Sequence, residues 1–227
     1  MRFRSGLLVA LIIATTGYSC RTKGGKNIDQ GEIHYTIEYV GNVGMPKELM
    51  PRNLIVSFKD NKILFDISAP IGNSGILNLS NPEEGIYDTY ISLLTWRYYY
   101  SAKPGESHPG FEAMEGMEIR KTSKSMVICG FNCKSAEVRL PSDRDKVREI
   151  WYTSEIDVKK PNAATPYTDI DGVLMRFFFI MGPSEMHFDA ETVYKKEIPD
   201  KTFERREKFA RISREEINSF ISKMISL

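Results

Sequence analysis

The sequence predicts a mainly β domain with some α structure, in which an antiparallel sheet is covered by one C-terminal helix. Most segments between residues 31 and 198 alternate apolar and polar residues or are short apolar runs, and Gly, Pro, Asn and Asp separate them. A helical period of useful length occurs only near the C-terminus. About 200 residues follow the N-terminal apolar stretch, which is enough for a single domain with one core.

The N-terminal half predicts a series of short strands joined by turns. Residues 31–40 alternate strictly, with Ile33 and Tyr35 on one face and His34 and Thr36 on the other. The clearest hairpin has Asp60 and Asn61 at its turn, because both residue types adopt left-handed conformations at low cost. A helical turn is predicted at 47–50. The other predicted strands are 53–58, 62–67, 75–80, 86–92 and 94–100.

The stretch 125–152 predicts three successive strands, with a tight turn at 130–132 and a polar turn at 141–146. A Gly- and Pro-rich loop at 102–114 precedes it, and a Pro-containing stretch at 159–168 follows it. Residues 173–181 are apolar on both faces except for Arg176, which is typical of a central, covered strand. Alternation returns at 186–198.

The predicted helix begins after Ser213, which has the capping-box spacing to Glu216. Its apolar residues fall at helical intervals and form one stripe: Ile217, Phe220, Ile221, Met224 and Ile225. We expect this stripe to pack on an open face of the sheet, because one apolar face needs one covering partner.

The N-terminus predicts export. Residues 1–19 have a basic start and an apolar core of about nine residues, which is typical of a signal peptide and too short to span a bilayer. Cys20 then stands where bacterial lipoproteins carry the acylated cysteine, although Gly17 and Tyr18 depart from that pattern. Ordinary secretion with a leftover thiol, and an uncleaved anchor, are the alternatives. Residues 20–30 are interpreted as a flexible tether, and 31–227 as a single domain.

Charge gives no reason to expect a nucleic-acid partner. The chain has 31 basic and 30 acidic residues, and loss of Arg2 and Arg4 with the signal peptide leaves 29 basic residues and a net charge of −1. No acidic run follows Cys20, which favours the periplasmic side of the outer membrane for a lipid-anchored protein. A soluble periplasmic protein is the alternative.

Cys129 and Cys133 lie on either side of the predicted tight turn. In an exported protein, this spacing suggests a disulfide across the hairpin. Two separate buried cysteines are the alternative. A redox or metal role is a third interpretation, which the spacing of three intervening residues and the lack of a second pair disfavour.

Other chemical groups give no catalytic or metal prediction, and no cofactor is expected. The three histidines, His34, His108 and His187, are scattered without ligand spacing. The segment 105–110 resembles a nucleophile elbow superficially, but a proline occupies the second glycine position, so a loop is predicted. Asp169 and Asp171 are interpreted as a solvated turn rather than an acid–base pair. We therefore expect the protein not to be an enzyme.

Aromatic residues are concentrated on adjacent predicted strands, and others are placed to face them. They are interpreted either as ordinary core packing or as the lining of an apolar ligand site. The candidate ligand-lining residues are Tyr87, Tyr90, Trp96, Tyr98, Trp151, Phe177 and Phe179.

The order of several motifs resembles the GLPGLI-type periplasmic proteins of Bacteroidetes. The matching segments are the turn 128–134, the strands 150–156, 170–177 and 191–194, and the terminal helix; Asp171 and Gly172 replace the eponymous Pro-Gly. The resemblance implies a fold similar to the outer-membrane lipoprotein carrier superfamily, a strongly curved antiparallel sheet, or half-barrel, whose concave face is covered by a C-terminal helix and other short helices.

Two functions are expected from these observations. The first is an envelope protein, membrane-bound through its lipid anchor, that binds a lipid or other apolar molecule in the concave face of its sheet. The alternative is a structural or interaction module that contacts another protein and has no small-molecule ligand.

Overall fold

The computed structural model describes residues 21–23, 28–41, 50–69 and 74–226, with side chains over 28–41, 50–69 and 74–224. The predicted signal peptide, the predicted lipidation site Cys20 and residues 47–49 of the predicted helical turn at 47–50 lie outside these residues.

Thirteen strands and one α-helix make up the described chain. The strands are β1 (Arg21–Lys23), β2 (Gln30–Val40), β3 (Asn53–Lys59), β4 (Lys62–Ser68), β5 (Gly75–Asn81), β6 (Ile86–Leu93), β7 (Trp96–Ser101), β8 (Glu118–Ile128), β9 (Phe131–Leu140), β10 (Asp143–Thr153), β11 (Val173–Met181), β12 (Ser184–Lys195) and β13 (Ala210–Arg211), and the helix is α1 (Arg214–Ser226). Short 3-10 helices occupy Glu112–Met114 and Asp200–Phe203. The predicted fold class, mainly β with a C-terminal helix, is confirmed.

All thirteen strands belong to one sheet, which consists of two meanders. Strands β2 to β7 follow one another in order, and so do β8 to β12. The two meanders meet where β2 pairs antiparallel with β12, with Ile37 opposite Phe188. Two very short strands pair in parallel: β13 with β7, and β1 with β12. As predicted, β11 lies inside the sheet, between β10 and β12.

The residues at the turns determine where each hairpin reverses direction. One of these turns lies at a different position from the predicted one. Asp60 has a φ of 54° at the β3–β4 turn, as expected for a two-residue hairpin. At the β8–β9 turn the two central residues are Cys129 and Gly130, with φ of 52° and 82°, so the predicted turn at 130–132 is wrong by one residue. Gly130 adopts this left-handed conformation without steric cost, which favours a turn at 129–130 rather than at 130–132.

Helix α1 shows that the sheet is strongly curved. It contacts β7 and β11, which are separated by six strands in the sheet order. At about 4.8 Å per strand, a flat sheet would hold β7 and β11 roughly 34 Å apart, far more than the width of one helix. The sheet therefore curls around α1, and we call the face towards the helix the inner face.

Helix α1 begins and packs as predicted. The Ser213 side chain accepts a hydrogen bond from the Glu216 backbone N–H at 3.2 Å, and the Glu216 carboxylate accepts one from the Ser213 N–H at 2.8 Å. Ile217 and Ile221 are fully buried. Gly110, with a φ of 97°, passes so close to Ile221 that a side chain there would collide with its neighbours.

The inner face is filled by the protein's own aromatic side chains. The Phe177 and Phe188 rings stack at 4.9 Å, the Phe111 and Phe179 rings lie 4.5 Å apart, and the Phe177 and Phe179 rings lie 5.1 Å apart. The buried Tyr167 donates a hydrogen bond from its hydroxyl to the Phe178 carbonyl oxygen at 2.6 Å. The loops before β8 and after β10 thus contribute to the core along with the helix.

Strands β4 to β7 are covered on their outer face as well. Residues 196–211, which we call the strap, cross this face between β12 and α1. Ile198 and Phe203 of the strap are buried against Leu79 and Tyr90. The Arg205 guanidinium donates a hydrogen bond at 2.8 Å to the fully buried carboxylate of Asp88, which anchors the strap to β6.

The predicted flexible tether is wrong for the described part of residues 20–30. Arg21–Lys23 form β1, paired with β12, and Ile28 is fully buried and bridges to Ile156. An isoleucine with no exposed surface stabilises the attachment of this segment, because burying such a side chain contributes about 1.5–3 kcal/mol. The described residues before β2 are therefore part of the domain.

Candidate binding surface

Most of the candidate ligand-lining residues are packed into the core. Trp151, Phe177 and Phe179 are 7%, 2% and 2% exposed. Tyr87 packs against Ala102 and Ala164. These side chains stabilise the fold rather than line an open groove.

Tyr87 and Tyr90 lie on opposite faces of the sheet, because they are three residues apart in a strand. Tyr90 points to the outer face, where its ring stacks on Tyr99 at 5.6 Å and contacts Phe209. Its hydroxyl donates to the Asp88 carboxylate at 2.7 Å and accepts from the Arg206 backbone N–H at 3.0 Å. Burial raises the pKa of Tyr90, so it stays protonated as a donor. Tyr87 and Tyr90 therefore cannot line one and the same face of the sheet.

A small cavity lies on the inner face between β2, β4 and the loop after β10. Its volume is about 10 Å³, room for roughly one water molecule. Tyr35 at its edge donates a hydrogen bond to the Leu174 carbonyl oxygen at 2.7 Å. The cavity is much too small for an acyl chain.

Trp96 and Tyr98 are the two candidate residues that remain accessible. Trp96 is 57% exposed and Tyr98 is half-buried, and both rings pack edge-on against Phe220 of α1, at 5.8 and 5.5 Å. Leu94, in the turn between β6 and β7, is 74% exposed. We call Leu94, Trp96, Tyr98 and Phe220 the rim patch: the rings of Trp96 and Tyr98 contact Phe220, and Leu94 lies two residues before Trp96 in the adjoining turn.

Leu94 and Phe220 were not predicted as binding residues. The sequence placed Phe220 on the apolar stripe of the helix, and the structure shows it at the edge of that stripe, half-buried. Leu94 was predicted as the first residue of a strand, whereas it occupies a turn with a φ of 56°. A leucine followed by threonine carries no turn signal, so the sequence offered no means of finding it.

Charged residues beside the rim patch hold the helix in place. Arg214, at the start of α1, donates hydrogen bonds at 2.5 Å to Glu106 and at 3.3 Å to Glu112. The Tyr100 hydroxyl also donates to Glu106, at 2.9 Å. Although burial opposes it, hydrogen bonding from the Lys103 backbone, Tyr100 and Arg214 lowers the pKa of Glu106, which keeps this cluster ionised.

His108 is buried in the predicted loop. It lies 3.0 Å from the Thr89 hydroxyl and 3.3 Å from the Ser80 hydroxyl, on opposite sides of its ring. Burial lowers its pKa to about 3, so the ring is neutral and bonded on both nitrogens. The loop prediction is confirmed, and the histidine is satisfied by its neighbours.

A second buried charged cluster was not predicted. Arg148 donates two hydrogen bonds of 3.1 Å to Glu185, and its guanidinium lies 5.5 Å from the centre of the Phe178 ring. Burial opposes ionisation of Glu185, but hydrogen bonds from Arg148 and His187 lower its pKa to about 2. The pair joins β10 to β12 across β11, and removing one partner alone would leave a buried charge without compensation.

The predicted disulfide between Cys129 and Cys133 is wrong. Cys133 is a free, fully buried thiol whose pKa is raised to about 11 by burial. The turn at Cys129 and Gly130 places Cys133 opposite Met126, so the two cysteines are not cross-strand neighbours. The Cys129 sulfur points to β12 instead, 3.3 Å from the Ala190 carbonyl oxygen.

The remaining charged residues are dispersed. Asp169 and Asp171 are exposed, and Asp171 pairs with Lys121 at 3.4 Å. His34 contacts Glu32 at 3.1 Å on the same strand. Across the described ranges, no three His, Cys, Asp or Glu side chains are grouped as metal ligands. Within the same part of the chain, no helix is both long and apolar enough to cross a membrane.

Comparison with known proteins supports the fold alone. No family model matches the chain, and no curated protein matches it. The chain is similar to the solved structure of PNGF-II in space group C2, with a TM-score of 0.52 and 15% sequence identity. The match covers 87% of this chain and 32% of the PNGF-II chain, so the chain spans about a third of that protein. This similarity is to a β-rich fold, which agrees with the sheet described above.

Proposed function

We propose that this chain is an exported, non-enzymatic protein of the bacterial envelope that binds an apolar molecule, such as a lipid acyl chain, at the rim patch. The resemblance to GLPGLI-type proteins and to the lipoprotein carrier superfamily supports this ligand class, and the signal-like N-terminus supports export. The carrier-like concave face is occupied by the protein's own side chains. The ligand site is therefore proposed at the rim patch rather than in the interior.

The main observation behind this proposal is the conformation and the exposure of Leu94. A left-handed backbone at a residue other than glycine costs roughly 1–2 kcal/mol, and a side chain that is 74% exposed gains little from burial. Neither local conformation nor packing explains a leucine here. Beside it, Trp96 exposes more than half of its surface, although its ring is large and apolar. Exposed apolar groups clustered in one place are typical of a binding surface.

The rim patch also has the chemistry of an interface between water and lipid. Tryptophan and tyrosine combine an apolar ring with one polar group, so they are suited to an interface between water and an apolar phase. Trp96 and Tyr98 both rest on Phe220, which gives the surface a rigid apolar base. If Cys20 carries a lipid, the same protein is held at the periplasmic side of the outer membrane, close to acyl chains.

Tryptophan fluorescence tests this proposal directly. The chain has two tryptophans, and Trp151 is buried, so the variant Trp151→Phe leaves Trp96 as the reporter. We expect a fatty acid that carries a nitroxide quencher on its acyl chain to quench Trp96 in a saturable manner. Absence of saturation up to the solubility limit of the fatty acid contradicts the proposal.

A matched variant separates binding from folding. Replacing Leu94 with Asn removes the apolar side chain and suits the left-handed backbone, so Leu94→Asn should raise the free energy of unfolding by about 0.5–1 kcal/mol. The same variant should weaken fatty-acid binding several-fold. A variant that is more stable and binds as well as the parent would show that Leu94 is not part of the site.

A protein partner is the second candidate function, and the edge strand β8 favours it. One side of β8 has no partner strand in the described sheet, and it carries the exposed side chains of Met126 and Val127 near its end. An exposed edge accepts a strand from another protein through backbone hydrogen bonds. Photo-crosslinkers placed at 127 and at 94 in intact cells distinguish the two functions, because a protein adduct only at 127 favours the partner.

A further inference from the structure

The two halves of β8 differ in how they present the free edge of the sheet. In residues 118–124, the pairing with β9 shifts register between Lys121 and Ser125. The Lys124 backbone N–H is bonded to the Thr122 hydroxyl at 3.2 Å, so it is not free to pair with another strand. Bulges and lysines on an edge strand discourage further pairing. This half of β8 is therefore protected against strand addition.

Residues 125–128, which we call the open edge, keep a regular register with β9 as far as the turn. Val127 lies opposite Asn132 in this ladder. The Asn132 N–H donates at 3.0 Å to Glu155, and its carbonyl oxygen accepts at 2.9 Å from the Thr153 hydroxyl, so both backbone groups point away from β8. Val127 and Asn132 are therefore a non-hydrogen-bonded pair, and the N–H and carbonyl of Val127 point to the free side of β8.

Apolar side chains flank the open edge on both faces of the sheet. Met126 is 37% exposed and Val127 is 64% exposed, and successive residues of a strand point to opposite faces. Soluble β proteins avoid exposed apolar residues beside free backbone groups, because such an edge pairs with other chains. Protection against aggregation explains residues 118–124 but not this end of the strand. A further strand would cover both side chains and satisfy the backbone of Val127.

The charge around β8 indicates what kind of strand fits. Residues 118–153, which contain β8, β9 and β10, include eight basic and five acidic side chains, a net charge of +3. The whole chain has a net charge of +1, so the rest of it carries −2. On β8 itself, Arg120 and Lys124 remain 70% and 62% exposed although each has an acidic neighbour. Electrostatic complementarity therefore favours an acidic segment. A second copy of β8 is disfavoured, because it would place basic residues against basic residues.

We propose that the open edge binds an acidic, extended segment of another protein, which joins the sheet as an additional strand beside β8. The backbone of this segment pairs with Val127, its apolar side chains cover Met126 and Val127, and its carboxylates lie near Lys124. The inference rests on the second candidate function, contact with a protein partner, and it adds the site and the chemistry of that partner.

A library of random linear peptides displayed on phage and panned against the whole chain tests this chemistry. We expect the enriched peptides to contain β-branched residues with aspartate or glutamate beside them, because the partner must be extended and acidic. A synthetic copy of the most enriched peptide then serves as the probe, and fluorescence anisotropy measures its dissociation constant. An absence of enrichment, or an enrichment of neutral or basic peptides, would contradict the proposal.

The variant Val127→Pro tests docking through the backbone. Proline removes the N–H that points to the free side and leaves the pairing with β9 intact, since an edge strand tolerates proline at such a position. We expect it to weaken peptide binding about tenfold or more, whereas Val127→Thr, which keeps the N–H and the shape of the side chain, should bind as the parent does. Circular dichroism checks that both variants are folded. Equal binding by Val127→Pro and the parent would overturn the docking site.

Two further variants separate the local charge of β8 from the net charge of the protein. Lys124→Gln should weaken peptide binding roughly two- to five-fold at low salt, because an exposed ion pair contributes modestly and is screened by salt. Lys103→Gln removes the same charge from the 102–114 loop and should bind as the parent does. Equal affinities of the two variants would contradict contact between the acidic segment and β8.

The remaining outcomes distinguish this inference from the proposed functions. A reversible dimer in analytical ultracentrifugation that is lost in Val127→Pro would show that a second copy occupies the open edge, which overturns the acidic partner. Protein adducts at position 127 in cells, combined with no acidic preference in the library, would overturn only the chemistry of the partner. An absence of adducts at 127 contradicts the protein-contact function itself, and neither result affects ligand binding at the rim patch.

Discussion

The two ends of the sheet are built from similar strands and are covered very differently. Strands β5 and β6 have the 102–114 loop on one face, where His108 contacts Ser80 and Thr89, and the strap on the other, and most of their residues are buried. Strand β8 is exposed along most of its length, and charged residues such as Arg120 and Lys124 occupy it. Alternation within a strand therefore does not decide how deeply the strand is buried. Segments far away in sequence decide it.

The two ends also differ in how much their polar interactions contribute to stability. At the covered end, a buried network of Asp88, Tyr90 and Arg205 fixes the strap, and His108 is locked between two hydroxyls. At the exposed end, ion pairs such as Arg120 with Glu137 at 2.5 Å lie on the surface, where such pairs contribute little to stability. We expect mutations to be costly at the first end and tolerated at the second.

The largest expected effect is at Leu79, beneath the strap. Leu79 has no exposed surface and packs with Ile198 and Phe203, so Leu79→Ala should lower the free energy of unfolding by about 2–5 kcal/mol. Urea denaturation followed by circular dichroism measures it. A loss below about 1 kcal/mol would show that the strap does not cover this face in solution.

Acid should weaken the covered end through His108. The pKa of His108 is lowered from 6.5 to about 3, mainly by burial, so the folded state holds the neutral ring while the unfolded chain takes up a proton below pH 6.5. Stability is therefore full above that pH and falls as the pH decreases towards 3. Between pH 7 and pH 5 the expected loss is about 2 kcal/mol.

The variant His108→Asn provides the control for this pH dependence. It keeps hydrogen-bonding groups at the site and has no titrating ring, so its stability should change much less between pH 7 and pH 5. The carboxylates, His34 and His187 are present in both proteins, and the difference between the two slopes isolates His108. Equal slopes would show that His108 is accessible to protons in the folded state.

The smallest expected effect is at Val127, on the exposed end. This side chain is 64% exposed, and Val127→Thr keeps the β-branched shape, so the free energy of unfolding should change by no more than about 0.5 kcal/mol. The same denaturation measurement applies. A loss above 1 kcal/mol would indicate that another chain covers this edge in solution.

The sequence predicted the strands well because their signals are local. The turn pair at Asp60, the alternation of β2 and the capping box at Ser213 each depend on a few neighbouring residues. The strap was not predicted, because residues 199–211 have neither alternation nor helical period and 196–198 were assigned to the preceding strand, which ends at Lys195. Ile198 and Phe203 are buried only because distant strands lie beneath them.

The candidate site was predicted in part for the same reason. Trp96 and Tyr98 were singled out as aromatic residues on neighbouring strands, and they do lie at the rim. The sequence could not separate them from Phe177 and Phe179, since exposure depends on which loops fold over the sheet. Tyr87 and Tyr90 lie on opposite faces because side chains alternate along a strand, so their spacing of three residues already carries this information in the sequence.

The pairing of β2 with β12 has a consequence for how the chain folds. Ile37 faces Phe188 across this seam, so the contact joins residues about 150 positions apart. Each meander can assemble from local hairpins, but the seam requires the closure of a long loop, which is typical of slow-folding β proteins. During synthesis the N-terminal meander is completed first, and the edge of β2 stays unpaired until β12 has been made. Throughout that interval the nascent protein is at its most vulnerable to strand exchange with other chains.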